Sequence, residues 1–376
     1  MKFGIFDHLE RRHDCDLTQQ YEERLQLMAQ ADEQGIYGYH IAEHHHSPLC
    51  LAPNQSVFLA AAAQRTKKLK IGTLVYVLPL YQPIRILEET IMVDRLSNGR
   101  VQVGVGRGAG GGGEIALWGG KASDSDLMFR ECLEILLKGY QEDFLSFEGE
   151  HYKFKNLWME LKPVQKPHPA FWYAGNAEHA GEMGMNFIGA GAIERTKKMV
   201  QTYLEAWKKG QANPGPTTAK LDTPLYGTMR HMLIADTDAE AREIALRAYP
   251  EYRKHFAKPL PPGVERQMPP GMAAALAARQ DAAPASGGEL PVGPQAAKLG
   301  GPASMNPEEA MAAQSLLVGS PSTIRDFVVQ YAKETGANYF VGSFSWGDLT
   351  HAESSKSLRL FAEEVMPAVE AVKEMA

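Results

Sequence analysis

What most limits how this chain can fold is a rhythm: short apolar runs separated by longer segments whose apolar residues recur at helical spacing. KFGIF at residues 2–6 is short and apolar, which suits a buried strand. Asp16 then stands at a helix N-cap position, Leu17, Tyr21, Leu25 and Met28 share one face, and Gly35 ends the segment. The alternation continues with a strand at 38–42, a helix from Gln55 to Arg65, and a strand rich in β-branched residues at 70–78. Pro83 opens a helix through Leu96, residues 98–100 (NGR) make a turn, and a fourth strand at 101–105 precedes a helix near 124–139. Residues 170–174, 186–190, 226–235 and 338–343 supply strands five to eight, and helices are expected to fill most of the gaps. Eight strands alternating with helices, with no second compositional regime, predict a (β/α)8 TIM barrel. It is expected to form a single domain over residues 1–376. An open doubly wound sheet would show the same periodicity.

One segment breaks the rhythm. Nine of the chain's 23 prolines fall within residues 258–306, between strands seven and eight. Long segments of this kind are usually lids or disordered insertions, and this one should emerge on the rim where barrel enzymes build their sites. It is read as an active-site lid, against the plainer reading of a surface excursion. The remaining composition, 44% hydrophobic and 22% charged, supplies a large core. A net charge of −6 gives no general attraction for nucleic acid or an anionic membrane. The opening MKFGIFDHLE lacks the apolar stretch of a secretory signal, and no apolar run approaches the roughly 18 residues of a membrane span. Cys15, Cys50 and Cys132 are far apart and form no CxxC, which favours free thiols and a cytoplasmic setting.

Two stretches carry candidate chemistry. GYHIAEHHHSPLC, residues 38–50, puts Glu43, His44, His45 and His46 just past the second strand, where barrel enzymes place catalytic groups. If the strand continued, His44 and His46 would point one way and His45 the other. A catalytic histidine, His44 first, is the favoured reading. A zinc site would need further converging ligands, and neither HExxH nor HxxEH occurs. Structural roles for His45 and His46 stay open. The second stretch, VGVGRGAGGGGE at residues 103–114, follows the fourth strand. Its small residues let backbone N–H groups approach a ligand, and Arg107 adds a fixed positive fork suited to phosphate. Phe6, Tyr76, Trp172 and Trp346 are candidates for an apolar pocket lining.

These motifs together resemble the bacterial-luciferase-like family of flavin-dependent monooxygenases. The resemblance rests on FGIF, EHHH, VLPLYQPIRILEE, VDRLSNGRVQVGVGRG, FWYAGNAEHAGEMG, LLVGSP and LRLFAEEVMPAV, and covers nearly everything outside the proline-rich segment. It implies a TIM barrel that binds reduced FMN, supplied by a separate NAD(P)H-dependent flavin reductase. Molecular oxygen then forms a 4a-(hydro)peroxyflavin that oxygenates an aldehyde, ketone or other small organic substrate. By the resemblance His44 is the active-site histidine and Arg107 the phosphate-contacting arginine. Gly175, Asn176 and His179 fall at further phosphate-loop positions, where luciferase carries acidic and hydroxyl residues. Leu74 and Val75 fall where luciferase has a non-proline cis peptide beside the flavin ring. Gly106 stands where luciferase has its reactive cysteine, which leaves light emission and long-chain aldehyde specificity unsupported. The resemblance also implies a homodimer through the helices at 55–65 and 83–96.

Three other readings share these residues. One is a deazaflavin-dependent oxidoreductase transferring hydride on the same barrel. Another is a metal-dependent hydrolase using His44, His45 and His46, and the last a non-catalytic flavin-binding relative. The flavin monooxygenase reading is preferred because EHHH and GVGRG occur together, and it calls for no metal.

Overall fold

Strand direction and register close the chain on itself. The computed structural model describes residues 1–108, 114–115, 118–257 and 305–369. Its strands in chain order are β1 (Lys2–Asp7), β2 (Gly38–Ile41), β3 (Lys70–Thr73), β4 (Tyr76–Val77), β5 (Val101–Gly106) and β6 (Phe144–Glu148). Then come β7 (Lys153–Trp158), β8 (Ala170–Ala174), β9 (Asn186–Ala190), β10 (Tyr226–Ile234), β11 (Leu316–Gly319) and β12 (Tyr339–Ser343). Parallel pairing runs β12-β1-β2-β3-β5-β8-β9-β10, and β10 pairs back onto β12. This is a closed (β/α)8 barrel, as the alternation predicts.

Period-two alternation divides each strand between two cores. Phe6, Trp172, Ile188, Tyr339 and Val341 fill the barrel interior. Phe3, Ile5, Tyr39, Ile41, Ile71 and Val101 face outward and pack under the helical layer. The inner floor is tight: a Cβ on Gly4 would lie 1.9 Å from the Tyr339 hydroxyl oxygen, so glycine is required there. His40 meets that hydroxyl at 2.9 Å from its own Nε2.

Helix starts follow local chemistry. Asp16 accepts from the Gln19 N–H to open Leu17–Glu33, and Asn54 caps Gln55–Arg65 through the Val57 N–H. Pro83 at the first turn pre-sets Pro83–Leu96. Asn306 with Glu309, and Thr350 with Glu353, form capping boxes at Pro307–Ala312 and His351–Leu360. At the N-terminal end of the barrel, VDRLSNGR builds a hydrogen-bonded floor. Asp94 accepts from the Val164 and Gln165 backbone N–H groups and from Gln165 Nε2. Arg100 donates to Ser97 O, Thr66 Oγ1, Leu69 O, Ala63 O and Thr66 O.

The structure corrects several expectations. The strand expected at 70–78 is broken: β3 stops at Thr73, β4 is two residues long, and a 3₁₀ turn takes Leu78–Leu80. An unanticipated antiparallel hairpin, β6–β7, sits between the helix Ser125–Gly139 and β8. β11 adds a strand to the free upper edge of β10. Tyr76 lies in the outer layer with its hydroxyl 2.9 Å from Ser56 Oγ, so it does not line the interior. The lid expected at 258–306 falls almost wholly outside the described residues. Among the described residues no helix is long and apolar enough to cross a membrane, and Cys15, Cys50 and Cys132 are free thiols.

Candidate active site

The residues just past the C-terminal ends of the strands meet at the barrel mouth. Gly4, Phe6 and His8 alternate inward along and beyond β1. His44 comes from the segment after β2, and its ring lies 5.6 Å from that of His8, centroid to centroid. Its Nδ1 is 3.2 Å from Glu114 Oε1. A carboxylate accepts from Nδ1–H, which leaves Nε2 of the neutral ring as a proton acceptor. His231, on β10, is paired in register with Ser343 on β12, and its ring centroid is 4.4 Å from that of Tyr252 and 6.1 Å from that of Trp346.

This group is short of partners. Nδ1 of His8, both ring nitrogens of His231 and Oγ of Ser343 are buried without a hydrogen bond among the described residues. Atoms in that condition cost stability unless a ligand or water satisfies them. Burial holds the His231 imidazole down at about 3. His8 is held well below its ordinary range by burial first, then by the nearby His44 and His231. Both therefore act as neutral polar groups at physiological pH. Phe6, Ala42, Leu74, Trp172, Ile188 and Val341 make the surface beneath them apolar.

The three consecutive histidines do not act together. Glu43 is buried and accepts from the Val77 N–H at 2.9 Å, the Tyr81 hydroxyl at 3.0 Å and Gln55 Nε2 at 3.2 Å. It also holds His45 Nε2 at 2.8 Å. His45 is buried in that network, while His46 is exposed at φ +51. The strand ends at Ile41, so the alternation expected across the three rings does not apply, and no common point for a metal exists between them.

On the rim past β5, Arg107 lines a pocket of about 270 Å³ with Asp126, Arg130, Tyr173 and His179. Arg107 Nη1 is 3.5 Å and Arg130 Nη2 2.5 Å from opposite oxygens of Asp126. Two guanidiniums share the Asp126 carboxylate, and Glu182, which also borders the opening, is paired with Lys209 at 2.7 Å. The residues expected to grip a phosphate are divided. Gly175 and Asn176 line a neighbouring pocket with Arg195 and Lys198. The Gly175 N–H already donates to Ile188 O at 2.9 Å, and Asn176 Oδ1 caps the His179 N–H. Gly175 therefore contributes its φ of +87 and the open space above it in place of a free donor.

The peptide bond between Leu74 and Val75 is cis, at the break between β3 and β4. Across from it, a Cβ on Gly106 would lie 2.5 Å from Val75 Cγ2, so a cysteine at 106 would not fit without movement. Sequence reasoning did not single out His8, His231 or Tyr252. The inward parity of Gly4, Phe6 and His8 was a usable signal for the first.

Comparison with known proteins adds the following. Residues 1–339 match the family described as luciferase-like monooxygenase. The oxygenase component of the flavin-dependent trigonelline monooxygenase of Acinetobacter baylyi is 29% identical over 65% of this chain and 68% of its own. The oxygenating constituent of 3,6-diketocamphane monooxygenase from Pseudomonas putida, solved with FMN, superposes with a TM-score of 0.73. It is 21% identical, over 98% of each chain. An F420-dependent secondary alcohol dehydrogenase, solved with an F420-acetone adduct, superposes at 0.65 with 17% identity over 98% of each chain. At these identities the two structures speak to the fold alone.

Proposed function

The chain belongs to the luciferase-like monooxygenase family, and from that premise we propose that it is the oxygenase of a two-component system. It takes reduced FMN from a separate NAD(P)H-dependent flavin reductase and uses molecular oxygen to oxygenate a small organic substrate. The observation that carries this reading is the pairing of two features at one mouth. Buried polar atoms without hydrogen bonds on His8, His231 and Ser343 stand over an apolar interior, and the Arg107 guanidinium lies on the rim to one side. The two features fit the two ends of a flavin phosphate. Its ring requires apolar walls with a few hydrogen-bond partners, and its phosphate requires a guanidinium.

Bound reduced FMN would supply the electrons that activate oxygen. Arg107, with His179 in the same pocket, holds the phosphate. His44, fixed by Glu114, moves the proton at Nε2. His8 and His231 orient by hydrogen bonding without bringing charge into the interior. Phe6, Trp172 and Val341 keep water from the reacting centre. Leu74 and Val75 would border the flavin ring, and Gly175, Asn176 and His179 its phosphate end. Exposed Val57, Met92 and Leu96 on the neighbouring helices Gln55–Arg65 and Pro83–Leu96 support a homodimer through that face.

The test is anaerobic titration with reduced FMN followed by an oxygen pulse, with absorbance and product read together. The expected result is stoichiometric binding, reoxidation slower than that of free flavin, and product formation with a suitable substrate. Reoxidation identical to free flavin, with tight binding of a reduced deazaflavin coenzyme, would favour hydride transfer on the same barrel.

A further inference from the structure

Beside the barrel mouth, His13, Glu251 and His255 bring one ligand atom each to within 4.8 Å of one another. We infer that they form a site for a divalent transition-metal ion of the zinc class, binding the segment after β1 to the last turns of the helix Asp238–Ala257. This site is independent of the flavin reading.

Glu251 and His255 are four residues apart on that helix, so both project from one face. Glu251 Oε1 lies 3.4 Å from His255 Nε2 and 3.5 Å from His13 Nε2. Ligands about 2.1 Å from a tetrahedral zinc stand about 3.4 Å apart, so two of the three separations already suit a shared ion. The two imidazole centroids are 6.1 Å apart.

The second observation is the state of His255. Its side chain is 2% exposed, and Nε2 makes no hydrogen bond among the described residues. Nδ1 is 3.2 Å from Glu10 Oε2, an oxygen that also accepts from the Gly347 N–H at 2.8 Å. A buried carboxylate on Nδ1 fixes the proton there and turns the Nε2 lone pair toward Glu251 and His13. That carboxylate–histidine arrangement is how metal-ligating imidazoles are oriented. Lys254 engages the other Glu251 oxygen, Oε2, at 2.8 Å, leaving Oε1 for the ion. His13 is 61% exposed, which leaves room for water as a fourth ligand. Its backbone is steadied next door by Arg12, paired with Asp14 and Glu23.

Two histidine nitrogens and one carboxylate oxygen suit zinc, and cobalt(II) as its spectroscopic substitute, better than magnesium or calcium. Tyr252, between the helical ligands in sequence, packs against His8 and His231. An ion here would therefore fix the helix that carries one wall of the barrel mouth.

The full chain, stripped with chelator, is titrated with zinc and separately with cobalt(II). One equivalent is expected, with visible ligand-field bands from cobalt and a zinc-dependent rise in Tm. His13→Ala, exposed and safe for folding, and Glu251→Gln should each weaken zinc binding at least about tenfold and abolish the Tm rise. Glu10→Gln should weaken it by about 10–100-fold, the usual cost of losing such an orienting partner. No binding by the wild type, or unchanged affinity in His13→Ala and Glu251→Gln, overturns the site. Binding that survives His13→Ala but vanishes in His46→Ala would place the ion on the consecutive histidines and overturn it equally.

Discussion

Two clusters of buried polar groups, one at each end of the barrel, are handled in opposite ways. At the N-terminal end every nitrogen of the Arg100 guanidinium donates to a named acceptor, and both Asp94 oxygens are taken. At the C-terminal end His8, His231 and Ser343 carry buried atoms without a hydrogen bond among the described residues. The difference separates cohesion from chemistry. A saturated network stabilises the closed barrel, whereas unsatisfied atoms are tolerated where a ligand is to complete them.

The contrast can be broken by mutation, beginning with the largest effect. His44→Ala should lower product formation by about 10²–10⁴-fold, the usual yield of a positioned acid–base group. Reduced-FMN affinity should change little. Equal product yield from mutant and wild type would remove His44 from its role. Arg100→Ala strands several buried carbonyls and should cost about 3–5 kcal/mol in urea unfolding. Turnover per folded molecule should be unchanged, and a selective loss of turnover would erase the distinction between the ends.

Arg107→Ala should weaken FMN about 10–100-fold, as expected for a charge-assisted phosphate contact of roughly 1.5–3 kcal/mol. Riboflavin, which lacks the phosphate, should be nearly unaffected, so equal losses for both would contradict the assignment. The smallest effect is His231→Leu, which should leave neutral-pH stability within about 1 kcal/mol of wild type while lowering activity.

Its sharper signature is in pH. The folded His231 imidazole is depressed to about 3. As pH falls below the ordinary value of about 6.5, the unfolded state takes up a proton that the folded state refuses. Stability is thus complete above about 6.5 and is lost as pH falls from there toward 3. Each such histidine contributes about 1.4 kcal/mol per pH unit within that window. His40, also held at about 3, and His8 act in the same direction. Unfolding curves stepped from pH 6 to pH 4 should be shallower by one histidine's slope in His231→Leu. An unaltered slope would show that His231 is not buried neutral.

Much of the barrel was legible because its strands are short, apolar and regularly spaced. What escaped depended on contacts distant in sequence. The third strand reads as continuous from 70 to 78, and only the pairing of Tyr76 with Val105 shows where it restarts. β11 exists because β10 is long enough to pair with β9 along its first half and with β11 along its second. His231 looks like an ordinary strand residue until closure sets it beside Ser343.

The motif reading had the opposite difficulty. VDRLSNGR carries much of the family resemblance, yet its Asp94 and Arg100 build the floor at the end away from the chemistry. EHHH looked like one constellation, but its members entered three separate environments once the strand stopped at Ile41. The position of His44 and Arg107 at the barrel mouth was legible because a strand end in a barrel restricts where such side chains can go, while their roles belong to the proposal.

Glu43 has a practical consequence for anyone redesigning this enzyme's substrate range. Because one carboxylate ties together the loops after β2 and β4 through Val77, Tyr81, Gln55 and His45, that quadrant of the mouth behaves as a single casting. Enlarging it for a bulkier substrate means replacing all of its members together. The adjacent quadrant past β5 and β8, with open space over Gly175, is not tied to Glu43, so single changes there act one at a time, with Arg107 kept for the phosphate.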